Sequence, residues 1–379
     1  LYSENQIINN FLKFKKVFKK TNPLICFAAK SNSNVSILKT LGKLGAGTDV
    51  VSGGELLKAL KAGIKPNKVV FSGVGKNEDE LRIAINKKIL LINCESESEA
   101  KLIDKIARKL RKKVSIGFRL NPNIDAKTHQ KISTGKAENK FGLSIKNFKS
   151  FYKSIKKYKN INLDALSVHI GSQILSDVPY KKMLNVMSNL IKELKLDLKF
   201  LDLGGGFGIR YNEKDKPINL KKYSDSVNKL AKKLKCKIIF EPGRSIIGDT
   251  GILLSKIQYI KKGAKKDFII IDAGMNDFMR PALYDAVHKI IPIRKSKSKL
   301  KGTIEFVGPI CESTCKFGSY KNYQKMSEND FVAITNVGAY GSSLSSNYNS
   351  RPLIAELLVN KNKIKYIRKK QDLLKLINS

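Results

Sequence analysis

The sequence predicts a parallel (β/α)8 barrel followed by an antiparallel, barrel-like β domain. Three observations carry this. Eight strand-like runs with helix-like patterns between them fill residues 24 to 241, which matches such a barrel in number and size. After about residue 250 the helical patterns nearly vanish and strand-like runs take over. Residues able to do chemistry recur at the carboxyl ends of the eight strands, the end at which barrels of this kind build their sites. At 379 residues the chain is long enough for a barrel and a second domain. From the alternation alone, a doubly wound open sheet is the structural alternative.

In chain order, residues 1–20 read as a polar start and an amphipathic helix, with Ile7, Ile8, Phe11, Leu12 and Phe14 near helical spacing. The expected strands are 24–30, 45–51, 68–72, 89–93, 114–120, 163–170, 199–203 and 237–241. Between them lie helical patterns at 35–44, 54–62, 77–86, 97–111, 145–157, 180–194 and 220–234. Later strand-like runs are 252–260, 267–272, 287–293, 303–308, 330–337 and 354–368, with a short helix at 371–377. The expected division is a barrel over 15–250 and a β domain over 251–379, joined by residues 1–14.

The balance of 73 Lys and Arg against 32 Asp and Glu gives a net charge of +41. That invites a polyanion-binding role. The lysines are, however, spread through nearly every expected helix and loop alongside abundant Ile and Asn, with no basic tail and no nucleic-acid motif. A compositional bias, as an AT-rich genome gives, accounts for the charge, so no specific nucleic-acid partner is expected. Five scattered cysteines exclude a disulfide framework; Cys26, Cys94 and Cys236 lie in apolar runs and read as core thiols. With no signal peptide and no membrane-length apolar run, the expected location is cytoplasmic. Because the chain opens at Leu1, a few preceding residues are expected.

The first motif is Ile25-Cys26-Phe27-Ala28-Ala29-Lys30-Ser31-Asn32, an apolar strand ending in a lysine. Desolvation there lowers an amine's pKa and makes it a nucleophile able to form a Schiff base. In a lysine-rich chain the plain alternative is a solvated surface residue. Leu203-Gly204-Gly205-Gly206-Phe207-Gly208 fits an anion-binding nest or merely a tight turn, and its spacing is not that of a dinucleotide-binding loop. Phe240-Glu241-Pro242-Gly243-Arg244 offers a carboxylate able to pair with a pyridine nitrogen and an arginine able to clamp an anion; its plain alternative is a surface salt bridge. His169, in Ser167-Val168-His169-Ile170-Gly171-Ser172-Gln173, is either a core histidine or a ring that stacks on a planar cofactor. Gly308-Pro309-Ile310-Cys311-Glu312-Ser313 pairs a potential proton donor with a carboxylate. Cys311 and Cys315 lack a second Cys/His pair, so no metal is expected. Polar loops at 276–284 and 336–350 carry Arg280, Tyr284, Tyr340 and Tyr348.

Taken together, A-x-K-S-N, H-I-G-S-Q, G-G-G-F-G, E-P-G-R, R-P-A-L-Y, G-P-x-C-E-S and V-G-A-Y-G, in this order, resemble diaminopimelate decarboxylase. That family belongs to the fold-type III (alanine racemase-like) pyridoxal-phosphate enzymes, which combine a (β/α)8 barrel with a β domain. The resemblance runs over nearly the whole chain. It implies pyridoxal 5'-phosphate as cofactor, Lys30 as the Schiff-base lysine, His169 stacked on the ring and Glu241 on the pyridine nitrogen. Ser172, Gly205, Gly206, Gly243 and Arg244 would hold the phosphate. Arg244, Arg280 and Tyr284 would bind the remote end of the substrate, Glu312 its ammonium group, and Tyr340 both cofactor and substrate. Cys311 would protonate the carbanion. In this family the residues matching Cys311 and Glu312 reach the neighbouring subunit's site, which implies a homodimer with shared sites. The implied reaction is decarboxylation of meso-2,6-diaminopimelate to L-lysine, the last step of lysine biosynthesis. Two positions depart from the family pattern: Thr314-Cys315 stands where an acid commonly follows C-E-S, and Tyr348-Asn349-Ser350-Arg351 replaces the usual Phe-Asn-x-Arg.

The nearest rivals on this fold decarboxylate ornithine, arginine or carboxynorspermidine. Arg244, Arg280 and Glu312 together favour a substrate with a distal amino-acid group, whereas ornithine has only a distal ammonium. An alanine-racemase-like activity fits Cys311-Glu312 less well. A catalytically inactive binding protein is disfavoured by the retention of Lys30, Glu241 and Cys311.

Overall fold

The structure is a computed structural model that describes residues 1–126, 134–135 and 138–378. The chain forms two compact units, one of Ile8–Gly208 with Lys216–Ile246, the other of Leu1–Ile7, Ile209–Asp215 and Ile247–Ser379.

The first unit is a closed parallel barrel. Its strands are β1 (Leu24–Ala28), β2 (Gly47–Val50), β3 (Val69–Phe71), β4 (Leu91–Cys94), β5 (Val114–Asn121), β6 (Ile161–Val168), β7 (Phe200–Asp202) and β8 (Lys237–Phe240). Neighbours around the barrel run β4-β3-β2-β1-β8-β7-β6-β5, and β5 pairs with β4 to close the ring. A two-residue strand, Leu143–Ser144, adds to the outer part of β5. Strands covered on both faces need continuous apolar runs, and every residue of β1, β2, β3 and β4 is buried.

After each of the first four strands the βα turn supplies a capping side chain to the helix that follows. Asn34, Ser52, Asn77 and Ser96 each accept a hydrogen bond from the first turn of the next helix, and Asn77 and Glu80 form a reciprocal capping box. Helix Glu97–Lys109 buries Ala100, Ile103, Ile106 and Ala107 on one face and leaves Lys101, Lys105, Arg108 and Lys109 in solvent. Each isoleucine so buried contributes roughly 1.5–3 kcal/mol. Much of the chain's positive charge is therefore a solvated helix face. An aromatic cluster of Phe14, Phe18, Tyr180, Phe207, Tyr223 and Phe240 fills the space outside β8.

Two strand ends differ from expectation. β1 stops at Ala28, and Lys30 lies in the 3-10 turn Ala29–Ser31, which Ser31 closes by donating its hydroxyl to the Ala28 carbonyl at 2.8 Å. β6 stops at Val168, one residue before His169. Release from the ladder aims both side chains from loop rather than sheet.

The second unit is mainly antiparallel. Strands β9 (Leu253–Lys261), β10 (Asp267–Ile271), β11 (Ile290–Pro292), β12 (Thr303–Val307), β13 (Lys316–Lys321) and β14 (Phe331–Ile334) form one sheet, ordered β11-β14-β9-β10-β12-β13. One pair within it, β10 with β12, is parallel. Strands β15 (Glu356–Asn360) and β16 (Lys363–Arg368) form a hairpin with Tyr2–Ser3 added in parallel. The expected run 354–368 is thus two strands, broken where Lys361 takes a positive φ of 52°. Ile257, Ile269, Ile271, Phe278, Ile304, Phe306, Phe317 and Ile334 make its core. Among the described residues no helix is long and apolar enough to cross a membrane.

Candidate active site

The carboxyl ends of the barrel strands enclose a cavity of about 400 Å³ lined by Lys30, Ser72, Arg119, Ser167, His169 and Glu241, among others. Convergent buried ionisable groups in such a cavity mark a functional site more strongly than its size does.

Below the half-buried Lys30 lie three carboxyl groups, Asp49, Asp202 and Glu241, each at most 7% exposed. Burial pushes the Asp49 carboxyl up to about 8; the charge of Glu241 adds to this, while Lys30, the nearby Ser72 hydroxyl and Arg119 pull the other way. Neither Asp49 oxygen meets a hydrogen-bond partner of good geometry among the described residues. Burial also raises Asp202 and Glu241, and Glu241 is raised further by the charge and hydrogen bonding of Asp202. His169 is held neutral: burial first, then the positive charges of Lys30 and Arg119, drive its pKa well below the usual value.

Arg119 at the end of β5 is held in place by Glu95 at 2.9 Å and lies 4.7 Å from the Phe141 ring centre. The second oxygen of Glu95 accepts the Gly142 N–H at 2.6 Å. Nearby, Lys76 is fully enclosed and donates to the Gly73 and Asn93 carbonyls and to Glu99. These partners use its hydrogens and leave it a structural cation.

On the opposite rim the glycine loop approaches other backbone too closely for a side chain. A Cβ on Gly205 would lie 2.1 Å from the Glu241 carbonyl oxygen, and one on Gly206, whose φ is +89°, would lie 2.2 Å from that of Gly171. Gly205 N–H donates to His169 Nδ1 at 3.2 Å, which assigns that nitrogen as an acceptor. Arg244 donates to the Ser172 hydroxyl at 2.9 Å, and Gly243 backs closely onto Ala28 and Ser31. Lys30, His169, Ser172, Gly205, Gly206, Glu241, Gly243 and Arg244 therefore all belong to the barrel unit, and Lys30, His169 and Glu241 line its cavity.

The remaining expected residues lie in the β unit. Arg280 is buried, donates to the Tyr211 hydroxyl and to His288 Nε2, each at 2.9 Å, and lies over the Tyr211 ring. His288 Nδ1 donates to the Thr335 carbonyl, so Nε2 is free to accept. Tyr284 and Tyr340 are half-buried, and Tyr340 holds a positive φ of 57°. Cys311 and Glu312 are exposed. Tyr348 donates to Glu312 at 2.5 Å, Thr314 to its other oxygen at 3.4 Å, and the Cys311 thiol faces Asn349 Oδ1 at 3.6 Å. The two stretches that depart from the family pattern thus support Cys311 and Glu312 directly. Of the three expected core thiols, Cys26 and Cys94 are buried and Cys236 is half-exposed.

Asp202, Ser167, Lys76, Tyr211 and His288 are not picked out by sequence reasoning. Asp202 had a usable signal, an acid closing an apolar strand just before three glycines.

Comparison with known proteins places this geometry in context. The family described as "Pyridoxal-dependent decarboxylase, pyridoxal binding domain" matches residues 4–248. Diaminopimelate decarboxylase of Aquifex aeolicus is 42% identical over 98% of this chain and 89% of its own length. The crystal structure of diaminopimelate decarboxylase from Helicobacter pylori complexed with L-lysine superposes with a TM-score of 0.94 at 43% identity, over 100% of this chain and 95% of that one. The diaminopimelate decarboxylase from M. jannaschii in complex with L-lysine gives 0.92 at 35% identity, over 99% and 90%.

Proposed function

The chain belongs to the diaminopimelate decarboxylase family of pyridoxal-dependent decarboxylases, and from that premise we propose that it converts meso-2,6-diaminopimelate and a proton to L-lysine and CO2, closing lysine biosynthesis. The observation that carries this is one cavity bounded by an amine, a neutral imidazole and a buried acid, with the glycine loop bonded to that imidazole from behind.

These residues fit pyridoxal phosphate. The Gly205-Gly206 turn packs against the Glu241 and Gly171 carbonyls with no room for a Cβ, and a tight glycine turn of this kind can present backbone N–H groups to a phosphate, with Ser172, Gly243 and Arg244 beside it. Lys30 would hold the aldehyde carbon, and Glu241 would sit at the ring nitrogen. A neutral His169 can lie against the ring face without placing a charge there. The bound cofactor supplies an electron sink for the pair left when CO2 departs.

The chain's own residues do the rest. Arg244, Arg280 and Tyr284 bind the remote carboxylate, Glu312 receives the remote ammonium, and Tyr340 closes on cofactor and substrate. Cys311 delivers a proton to the carbon that lost CO2. The exposure of Cys311 and Glu312 supports a homodimer in which each subunit lends these two groups to its neighbour's site. The barrel over 15–250 is read as the cofactor domain and 251–379, with 1–14, as the domain that supplies substrate contacts. A cytoplasmic enzyme with no specific nucleic-acid partner is expected.

The test is product release by the purified chain with pyridoxal phosphate. Lysine from meso-diaminopimelate is expected; turnover of ornithine, arginine or carboxynorspermidine instead would overturn the substrate.

A further inference from the structure

Two carboxyl groups lie within hydrogen-bond reach of each other beneath the cavity: Asp202, which closes β7, and Glu241, which follows β8. They are not equivalent. Asp202 is fully buried and accepts three hydrogen bonds, from Gly204 N–H at 3.0 Å, Asn93 Nδ2 at 2.9 Å and the Ser167 hydroxyl at 3.2 Å. Glu241 accepts one, from the Ser72 hydroxyl at 3.3 Å. Asn93 also donates to Ser72 Oγ at 3.3 Å, which completes a ring of four side chains. Donors stabilise the ionised form of an acid, and two carboxyl groups this close share a proton. The charge therefore settles on Asp202 and the proton on Glu241.

We propose that Asp202 is a positioning residue that stores one proton on Glu241 at neutral pH, ready for the ring nitrogen of a pyridine cofactor. The cofactor half of this rests on the cavity taking pyridoxal phosphate. Glu241 releases its O–H proton as the ring N–H forms. The acid pair goes from one negative charge to two, the ring gains one positive charge, and no other reactant is needed. The ionisable groups facing the pair are Lys30 after β1, Arg119 on β5, Asp49 on β2 and Cys26 on β1. Lys30 and Arg119 favour ionisation of Glu241, and Asp49, pushed up to about 8, is mostly neutral at pH 7. Burial is the first cause of the raised Glu241 carboxyl and remains after Asp202→Asn, but that change removes the charge and hydrogen bonding that also oppose ionisation, offers an amide donor and leaves Lys30 and Arg119 to favour the carboxylate.

Infrared spectroscopy of the cofactor-free full chain at pH 7 tests this. Asp49, also protonated at pH 7, contributes a carboxylic-acid carbonyl band of its own; a further such band, that of Glu241, is expected in the wild type, identified by its loss in Glu241→Gln, lost also in Asp202→Asn, and lost from the wild type when pyridoxal phosphate binds. A wild type without the Glu241 band, a Glu241 band unchanged in folded Asp202→Asn, or one that survives cofactor binding overturns the proposal. The wild-type measurements decide the matter even where the Asn variant does not fold. A visible absorbance band with pyridoxal phosphate in the same wild-type samples, whatever the infrared result, keeps the cofactor reading standing separately.

Discussion

Lys30 owes its position to two local decisions: β1 ends at Ala28, and a 3-10 turn lifts the next side chains over the barrel mouth. The residue beside it in the next strand, Asp49, carries a cost. Its carboxyl titrates at about 8 in the fold and at the ordinary value of about 3.9 in the unfolded chain. Between those values the folded state binds more protons, so the stability from this group is full below pH 4 and falls as pH rises through 8. Asp49→Asn removes that dependence. In urea unfolding of the cofactor-free protein, the variant is expected to gain on the wild type between pH 5 and pH 9, by on the order of a few kcal/mol. A constant difference across that range would contradict the assignment. At this scale the sequence was legible where a residue is chemically conspicuous, as with Lys30, His169 and Glu241. Asp202 was legible only as an acid closing an apolar strand, which shows nothing of the three donors that converge on it from β4, β6 and its own turn.

At the scale of elements, the glycine loop between β7 and the following helix tolerates little change. Gly205→Ala places a methyl group 2.1 Å from the Glu241 carbonyl oxygen, which forces β7 and β8 ends apart. A loss of ~3 kcal/mol or more is expected, with cofactor affinity falling alongside it; thermal unfolding and a cofactor titration read both. A variant of wild-type stability would mean that the loop relaxes freely. The barrel strands could be read from the chain because burial on both faces demands apolar runs. Strand β13 escaped notice because Lys316, Gly318 and Ser319 dilute its pattern, and only Phe317 is buried. The β15–β16 hairpin read as one strand because Lys361-Asn362 is a weak turn signal beside the Gly-containing pairs that hairpins favour.

For the whole molecule, a net charge of +41 resolves into helix faces such as that of Leu220–Leu234, whose buried stripe of Tyr223, Ser224, Val227 and Leu230 leaves its lysines outward. Assembly gives the sharper expectation. Lys30→Ala and Cys311→Ala are each expected to be inactive, because they remove the barrel amine and the proposed proton donor. If each site draws these groups from two chains, mixing and subunit exchange should return about a quarter of wild-type activity, since half of the dimers are mixed and one of their two sites is intact. No recovery despite demonstrated exchange would place both groups in the same chain's site.

The central claim is that Lys30 and its surroundings form a pyridoxal phosphate site, and a visible absorbance titration of the purified chain with that cofactor tests it most directly. A saturating band in the wild type that is absent from folded Lys30→Ala is the predicted result. A wild type that produces no band, or a variant that keeps it, would contradict the account.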